Sequence, residues 1–240
     1  MRILKVALTL FIVSLGTALI AQSENRDVRE FEAIKASQAI DVYLKPGSKE
    51  AVKVEARGID LDEVLTEVSG GRLKIYLDDG RHRNHTVKVY VTFVKLEDIS
   101  ASSAATIISN GTIKGDRLDL SVSSAADIEI DVDVDEIDAS ASSAGDIELS
   151  GCAKYINASA SSAGGVDAYD LEAKQVRARA SSGGGVKVFA TDEIDARASS
   201  GGSIRYRGNP ARSQTDSGSG GSVRRSNLYL LKKFSNQFFL

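Results

Sequence analysis

Six Ser-Ser pairs punctuate the chain at 102–103, 123–124, 142–143, 161–162, 181–182 and 199–200, with spacings of 21, 19, 19, 20 and 18 residues. A period near 19 is too short for a helical-pair repeat of about 34 residues or a propeller blade of about 40. Around each pair the residues alternate apolar and polar, as in Ile137-Asp138-Ala139-Ser140-Ala141 and Ile147-Glu148-Leu149. Period two is the signature of a strand with one face in and one face out. The length accommodates strand, small-residue bend, strand and turn. These features predict an all-β fold, a right-handed parallel β-helix or β-solenoid with coils of about 19 residues.

Stacked coils place equivalent residues above one another, about 4.8 Å apart. Two apolar ladders are expected to face inward: Leu118, Ile137, Ile156, Val176 and Ile194, and Ile107, Ile128, Ile147, Val166, Val186 and Ile204. Columns of alanine (139, 158, 178, 196 and 141, 160, 180, 198) lie between them. There is no Trp, aromatics are 6%, and Ala, Ser and Gly supply the bulk, which suits a narrow interior. The second serine of each pair is expected to form a buried hydroxyl ladder at a corner, bonded along itself. Glycines at the bends, such as Gly145, Gly164 and Gly183, are expected to supply backbone angles that side chains forbid. No base accompanies any serine, so a nucleophile is not indicated.

The remaining regions divide as follows. Residues 1–22 read as a signal peptide: Arg2 and Lys5, an apolar stretch from Val6 to Ile20, then Ala21-Gln22-Ser23. Residues 28–98 form a β-rich, less regular N-terminal part, with strands at 39–44, 52–56, 73–77 and 87–93 and a helical turn or loop over 61–68. Ala36-Ser37-Gln38-Ala39-Ile40 echoes the Ser-Ser unit. Residues 99–212 are the regular solenoid. Residues 213–240 comprise a Gly/Ser-rich segment, expected to be a loose final coil or linker, and a tail whose Leu228, Leu231, Phe234 and Phe238 have helical spacing. No transmembrane domain is expected in the mature chain. The single cysteine, Cys152, is expected to be a small buried residue.

Three outward features carry functional expectations. Glu129, Glu148, Asp167, Lys187 and Arg205 fall in one column, acidic in the middle coils and basic in the last, and form the candidate interaction surface; a solvated face is the bland alternative. The run from Asp127 to Glu136 offers stacked carboxylates for Ca²⁺, but the Gly-rich nonapeptide of calcium-binding β-rolls is absent. Asp78, His82 and His85 could hold a metal; a polar hairpin between strands 73–77 and 87–93, turning at Asp79-Gly80, is the favoured reading. No catalytic residue, cofactor or metal site is assigned. A net charge of −3 gives no reason to expect nucleic acid.

The segments Phe31-Glu32-Ala33-Ile34, Ala39 to Gly47, Val64 to Ile75, the Ser-Ser-Ala-Gly coils and Tyr206-Arg207-Gly208-Asn209-Pro210 together resemble the head GIN domain family of autotransporter adhesins, over about residues 28–225. The resemblance implies an exported β-helical domain with an adhesive role and no catalytic residues to carry over. The chain leaves no room for a membrane barrel translocator. The expectation is therefore a non-enzymatic protein of the cell envelope (periplasm or outer surface) or the medium. Expected partners are a glycan, or an envelope or host surface protein, with a second copy of the chain also open. The rival readings are a polysaccharide-active lyase or hydrolase and a Ca²⁺-dependent glycan binder.

Overall fold

The computed structural model describes residues 22–80 and 83–226. The signal segment, His82 and the apolar tail lie outside these residues. Sixteen strands build one sheet wound into a parallel solenoid. They are β1 (Gln22–Arg26), β2 (Ala33–Ala36), β3 (Asp41–Pro46), β4 (Ala51–Arg57), β5 (Val64–Ser69), β6 (Arg72–Leu77), β7 (Thr86–Phe93), β8 (Asp98–Ala101), β9 (Thr106–Val122), β10 (Asp127–Ala141), β11 (Asp146–Ala160), β12 (Gly165–Ala180), β13 (Gly185–Ala198), β14 (Ser203–Arg207), β15 (Arg212–Ser217) and β16 (Ser222–Arg225).

From β9 to β13 each strand runs almost a full coil and pairs in parallel with the next, so Ile128 meets Ile107 and Ile147, and Ile137 meets Leu118 and Ile156. Both apolar ladders and both alanine columns are buried, and no polar or charged residue is buried among the described residues. Alanine columns keep the facing walls close. Gly151 answers a different constraint: it has a positive φ and stands in register between Val132 and Leu171, where a Cβ would run into the Val132 carbonyl oxygen of the neighbouring coil.

Every corner uses the same backbone device. The second serine and the residue after it are both left-handed, as in Ser143 (φ 51°) and Ala144 (φ 60°). That conformation costs an L-residue about 1–2 kcal/mol. The gain is a ladder between coils: the Ala144 amide donates to the Ser162 carbonyl at 3.2 Å, and Ala125 to Ser143 at 3.1 Å. The second serines are exposed, so the expected buried hydroxyl ladder is wrong. A left-handed residue turns its side chain outward while its carbonyl joins the stack. The bend glycines also need correction. Gly183 does have a positive φ, but Gly164 and Gly184 do not. They are glycine because the backbone of the preceding coil leaves no space for a Cβ: Ser142 N would be 2.7 Å from it at Gly164, and Ala160 O 2.5 Å at Gly184.

The N-terminal region continues these ladders out of chain order. The echo at Ser37-Gln38-Ala39 is a corner of the same kind, with Gln38 and Ala39 left-handed. β2 pairs with β8 and β3 with β9, both parallel. On their other side, β2 meets β6 and β3 meets β7. The later coil β6–β7 therefore lies outside the earlier coil β2–β3, and the chain crosses back to β8 to continue. β5 then pairs antiparallel with β6, β4 with β7, and β1 with β4. Residues 61–68 are a short 3₁₀ turn (Leu61–Glu63) followed by β5.

The expected hairpin between strands 73–77 and 87–93 is not formed. β6 and β7 sit on different faces of the solenoid and do not pair. The segment between them takes the place of a Ser-Ser corner, and Gln38 Oε1 accepts the Leu77 amide at 2.8 Å. At the other end the Gly/Ser-rich stretch is a paired coil rather than a loose one: β15 stacks on β13 and β16 on β14. Its corner repeats the device at Ser219 (φ 47°).

Candidate interaction surface

The face that follows each corner presents one continuous outward column. In register it reads Lys53, Tyr90, Tyr43, Ile108, Glu129, Glu148, Asp167, Lys187, Arg205 and Arg224. The five residues expected from the sequence are thus adjacent rungs. The sequence reading missed both ends of the column. Tyr43 and Tyr90 were legible as strand residues, but the detour through β4–β6 breaks the 19-residue spacing that would have aligned them. Arg224 was legible too: Ser200-Gly201-Gly202-Ser203-Ile204-Arg205 recurs 19 residues on as Ser219-Gly220-Gly221-Ser222-Val223-Arg224, but the missing Ser-Ser pair and the low complexity of 213–222 hid the repeat.

Along the column the chemistry changes in blocks. Tyr43 and Tyr90 stack with centroids 5.3 Å apart and planes 19° apart, an offset-stacked geometry favourable for aromatic pairs. Lys53 and Lys88 each place an ammonium 5.8 Å from a ring centroid, over Tyr90 and Tyr43 respectively. Three carboxylates follow, then three cations. At the sign change Lys187 Nζ lies 2.7 Å from Asp167 Oδ2. This bond holds the Lys187 pKa above its ordinary value, against burial and the neighbouring Arg205. Beside the junction the Arg207 guanidinium lies over Phe189 at 4.7 Å and Tyr169 at 5.8 Å, and it reaches Asp170 at 3.2 Å.

The acidic middle is concentrated. From Asp119 to Glu148 there are ten carboxylates and no Lys or Arg. Burial, then the adjacent Asp146, raises the Asp127 pKa. Much of the remainder is compensated by cations from other coils: Lys114 to Asp133 at 3.2 Å, Lys154 to Asp135 at 2.7 Å, and Arg117 to Glu136 at 2.9 Å. Solvent screening is thus not alone in making the run tolerable. Among the described residues no group of three or more His, Cys, Asp and Glu is gathered to hold a metal ion. Alternation along one strand points the acids outward in a line.

Cys152 is exposed, not buried. It occupies an outward position in register with Asp133, and Sγ donates to Asp133 Oδ1 at 3.3 Å. That bond, followed by burial and nearby carboxylates, raises the thiol pKa, which disfavours the reactive thiolate. His85 directly precedes β7, whose column position is three rungs from Glu129. The histidine and the acidic ladder are dispersed.

A family model described as "putative auto-transporter adhesin, head GIN domain" matches residues 30–210. The chain belongs to the head GIN domain family. Its solenoid is shared with solved structures. A putative adhesin from Bacteroides fragilis superposes with a TM-score of 0.79 at 19% identity, covering 86% of this chain and 97% of that one. A putative adhesin from Parabacteroides distasonis gives 0.70 at 23% identity, with 86% and 97% covered. A second Parabacteroides distasonis structure, titled a putative lipid binding protein, gives 0.61 at 20% identity, with 86% and 96% covered. At these identities the likeness is one of fold. No curated protein matches the chain. Among the described residues no helix is long and apolar enough to cross a membrane.

Proposed function

We propose that this head GIN domain is an exported, non-enzymatic adhesion module of the cell envelope or medium that binds a surface partner through its post-corner sheet face. The observation that carries this reading is the outward column from Lys53 to Arg224. It is a row of aromatic, acidic and basic side chains, interrupted by Ile108, held at strand spacing on a sheet that is parallel from Tyr90 onward. Complementary fields of this kind give specificity and fast encounter. The family's adhesin description and the adhesin titles of its structural neighbours support the same reading.

A polysaccharide-active enzyme would need an acid and a base converging on a cleft. Here the column's carboxylates and His85 stand rungs apart, and the tyrosine faces are engaged by each other and by lysines. The test is binding of the chain to arrays of glycans and extracellular-matrix proteins, with charge reversal at Glu148 and Lys187 as the probe. Signal that changes with these substitutions supports the reading; signal indifferent to them removes this face from it.

A further inference from the structure

The last two coils carry a charge that the molecule does not balance. Between Arg197 and Ser226 there are six arginines and one carboxylate, Asp216. Three of the arginines are matched: Arg197 with Asp195 at 3.3 Å, Arg207 with Asp170 at 3.2 Å, and Arg212 with Glu193 at 2.8 Å. Arg225 reaches only neutral oxygens, Gly208 O at 2.7 Å and Asn209 Oδ1 at 2.9 Å. Arg205 and Arg224 contact no carboxylate among the described residues, and both are exposed. They are adjacent rungs, about 4.8 Å apart along the solenoid. Like charges so placed oppose folding, which makes them candidates for neutralisation by something outside the chain.

The surface beside them is hollow. The neighbouring outward column reads Asp146, Gly165, Gly185, Ser203 and Ser222. Nothing lies within 4 Å of the point where a Gly185 Cβ would stand. The result is a trough of about 370 Å³ along the solenoid axis, with Lys187 and Arg205 on the wall of its C-terminal half and Asp146, Glu148 and Asp167 lining the other half. Among the described residues the exposed large apolar side chains, Tyr90 and Val94, belong to the coil at the opposite end of the solenoid.

We propose that the C-terminal half of this trough and the rung beyond it bind a linear polyanionic glycan, its sulfate or carboxylate groups paired with Arg205 and Arg224 and its backbone lying over Gly185, Ser203 and Ser222. This rests on the interaction-surface reading above and names the partner's chemistry. Guanidinium forks match planar or tetrahedral oxyanions. A row of cations edging a narrow groove fits a chain-like anion; among the described residues no exposed large apolar side chain flanks the patch to favour a flat membrane. The carboxylates of Asp167 and Glu148 end the site and set its direction, because they repel an anion beyond Lys187.

The test measures binding of the full chain to a heparin dodecasaccharide at low salt, with an uncharged dextran of equal length and phosphatidylglycerol vesicles as parallel probes. Heparin is expected to bind, dextran and vesicles are not, and added salt should weaken the complex. The double substitution R205E/R224E should cost about tenfold in affinity, as for a few exposed ion pairs lost and reversed. Neither side chain has a hydrogen bond to lose, so melting should be unchanged. E148K, which removes a repelling carboxylate from the acidic half of the trough, should tighten binding. No heparin binding, equal binding of dextran, binding of vesicles alone, or an unaffected R205E/R224E would each overturn the proposal. A positive signal from neutral glycans or proteins on the array would leave the broader adhesive reading standing.

Discussion

The two ends of the solenoid face the same problem and treat it differently. A stack of coils must stop, and its last coil offers an open core and a row of unpaired amides and carbonyls. At the N-terminal end, direction is reversed. β5, β4 and β1 add antiparallel strands to the outermost coil, and Val52, Val54, Ala56 and Val64 seal it with buried apolar side chains. Arg26 of β1 fastens the seal, donating to the Val64 carbonyl, to Thr66 Oγ1 at 3.1 Å and to the Leu61 carbonyl at 2.7 Å. At the C-terminal end, direction is kept and composition changes. The inward ladder positions become Ser213, Thr215 and Ser217 beneath Ile194, Ala196 and Ala198, and β15 is exposed throughout. Among the described residues, one end closes with added strands and the other dilutes its core to polar residues.

Matched substitutions test this difference, and the largest effect is expected in the core. Ile75→Ala, in the buried interior of the outermost N-terminal coil, should destabilise by about 3 kcal/mol; Val223→Ala, half-buried in the last coil, by about 1 kcal/mol or less. Equal midpoint shifts in urea would erase the distinction. The arginines make the next pair. Arg26→Ala removes the side-chain donor to the Val64 carbonyl and one of the two donors to the Leu61 carbonyl, and should cost about 1–2 kcal/mol. Arg225→Ala removes solvent-facing bonds and should cost about 0.5 kcal/mol or less; thermal unfolding of the two variants decides.

Hydrogen exchange should follow the same gradient. Amides of β15 should exchange well before those of β4, because local opening there breaks few buried contacts; protection in β15 matching that in β4 would contradict the account. The smallest effect is in pH. Near the N-terminal end, burial raises the Asp98 pKa against the pull of Arg72. Its contribution favours folding at low pH and is lost as pH rises from the ordinary Asp range through the raised value. Near the C-terminal end, the Arg179 hydrogen bond lowers the Asp195 pKa against burial. Its contribution is present above the ordinary Asp range and lost as pH falls through the depressed value. Stability of Asp98→Asn and Asp195→Asn across the acid range should therefore diverge from the parent with opposite slopes.

The regular coils were legible because one position in the sequence maps to one column in space. Every residue of both inward ladders is buried, and the five expected charges are consecutive rungs. What the sequence concealed is what breaks that mapping. The coil β6–β7 is stacked out of order, so Tyr43 and Tyr90 stand together without a shared period. The exposure of the second serines also escaped it, because alternation predicts faces for extended residues and these are left-handed. Cys152 deceived for a simpler reason: its residue type favours burial, but its register places it opposite Asp133 on the outside.

The out-of-order coil also bears on how the molecule is assembled. From β9 onward each coil contacts its neighbours, about 19 residues away in sequence, so it can be laid down on the coil just completed. The region before it has no such sequential route. β2 and β3 are flanked by strands still to come on both sides, and β1 must wait for β4, which itself needs β7. This pairing order predicts that residues 22–109 fold as one cooperative unit onto which the later coils are added. Shortening the chain from its C-terminus should remove coils one at a time and leave a folded remainder, whereas loss of β7 would remove the template on which the caps are built.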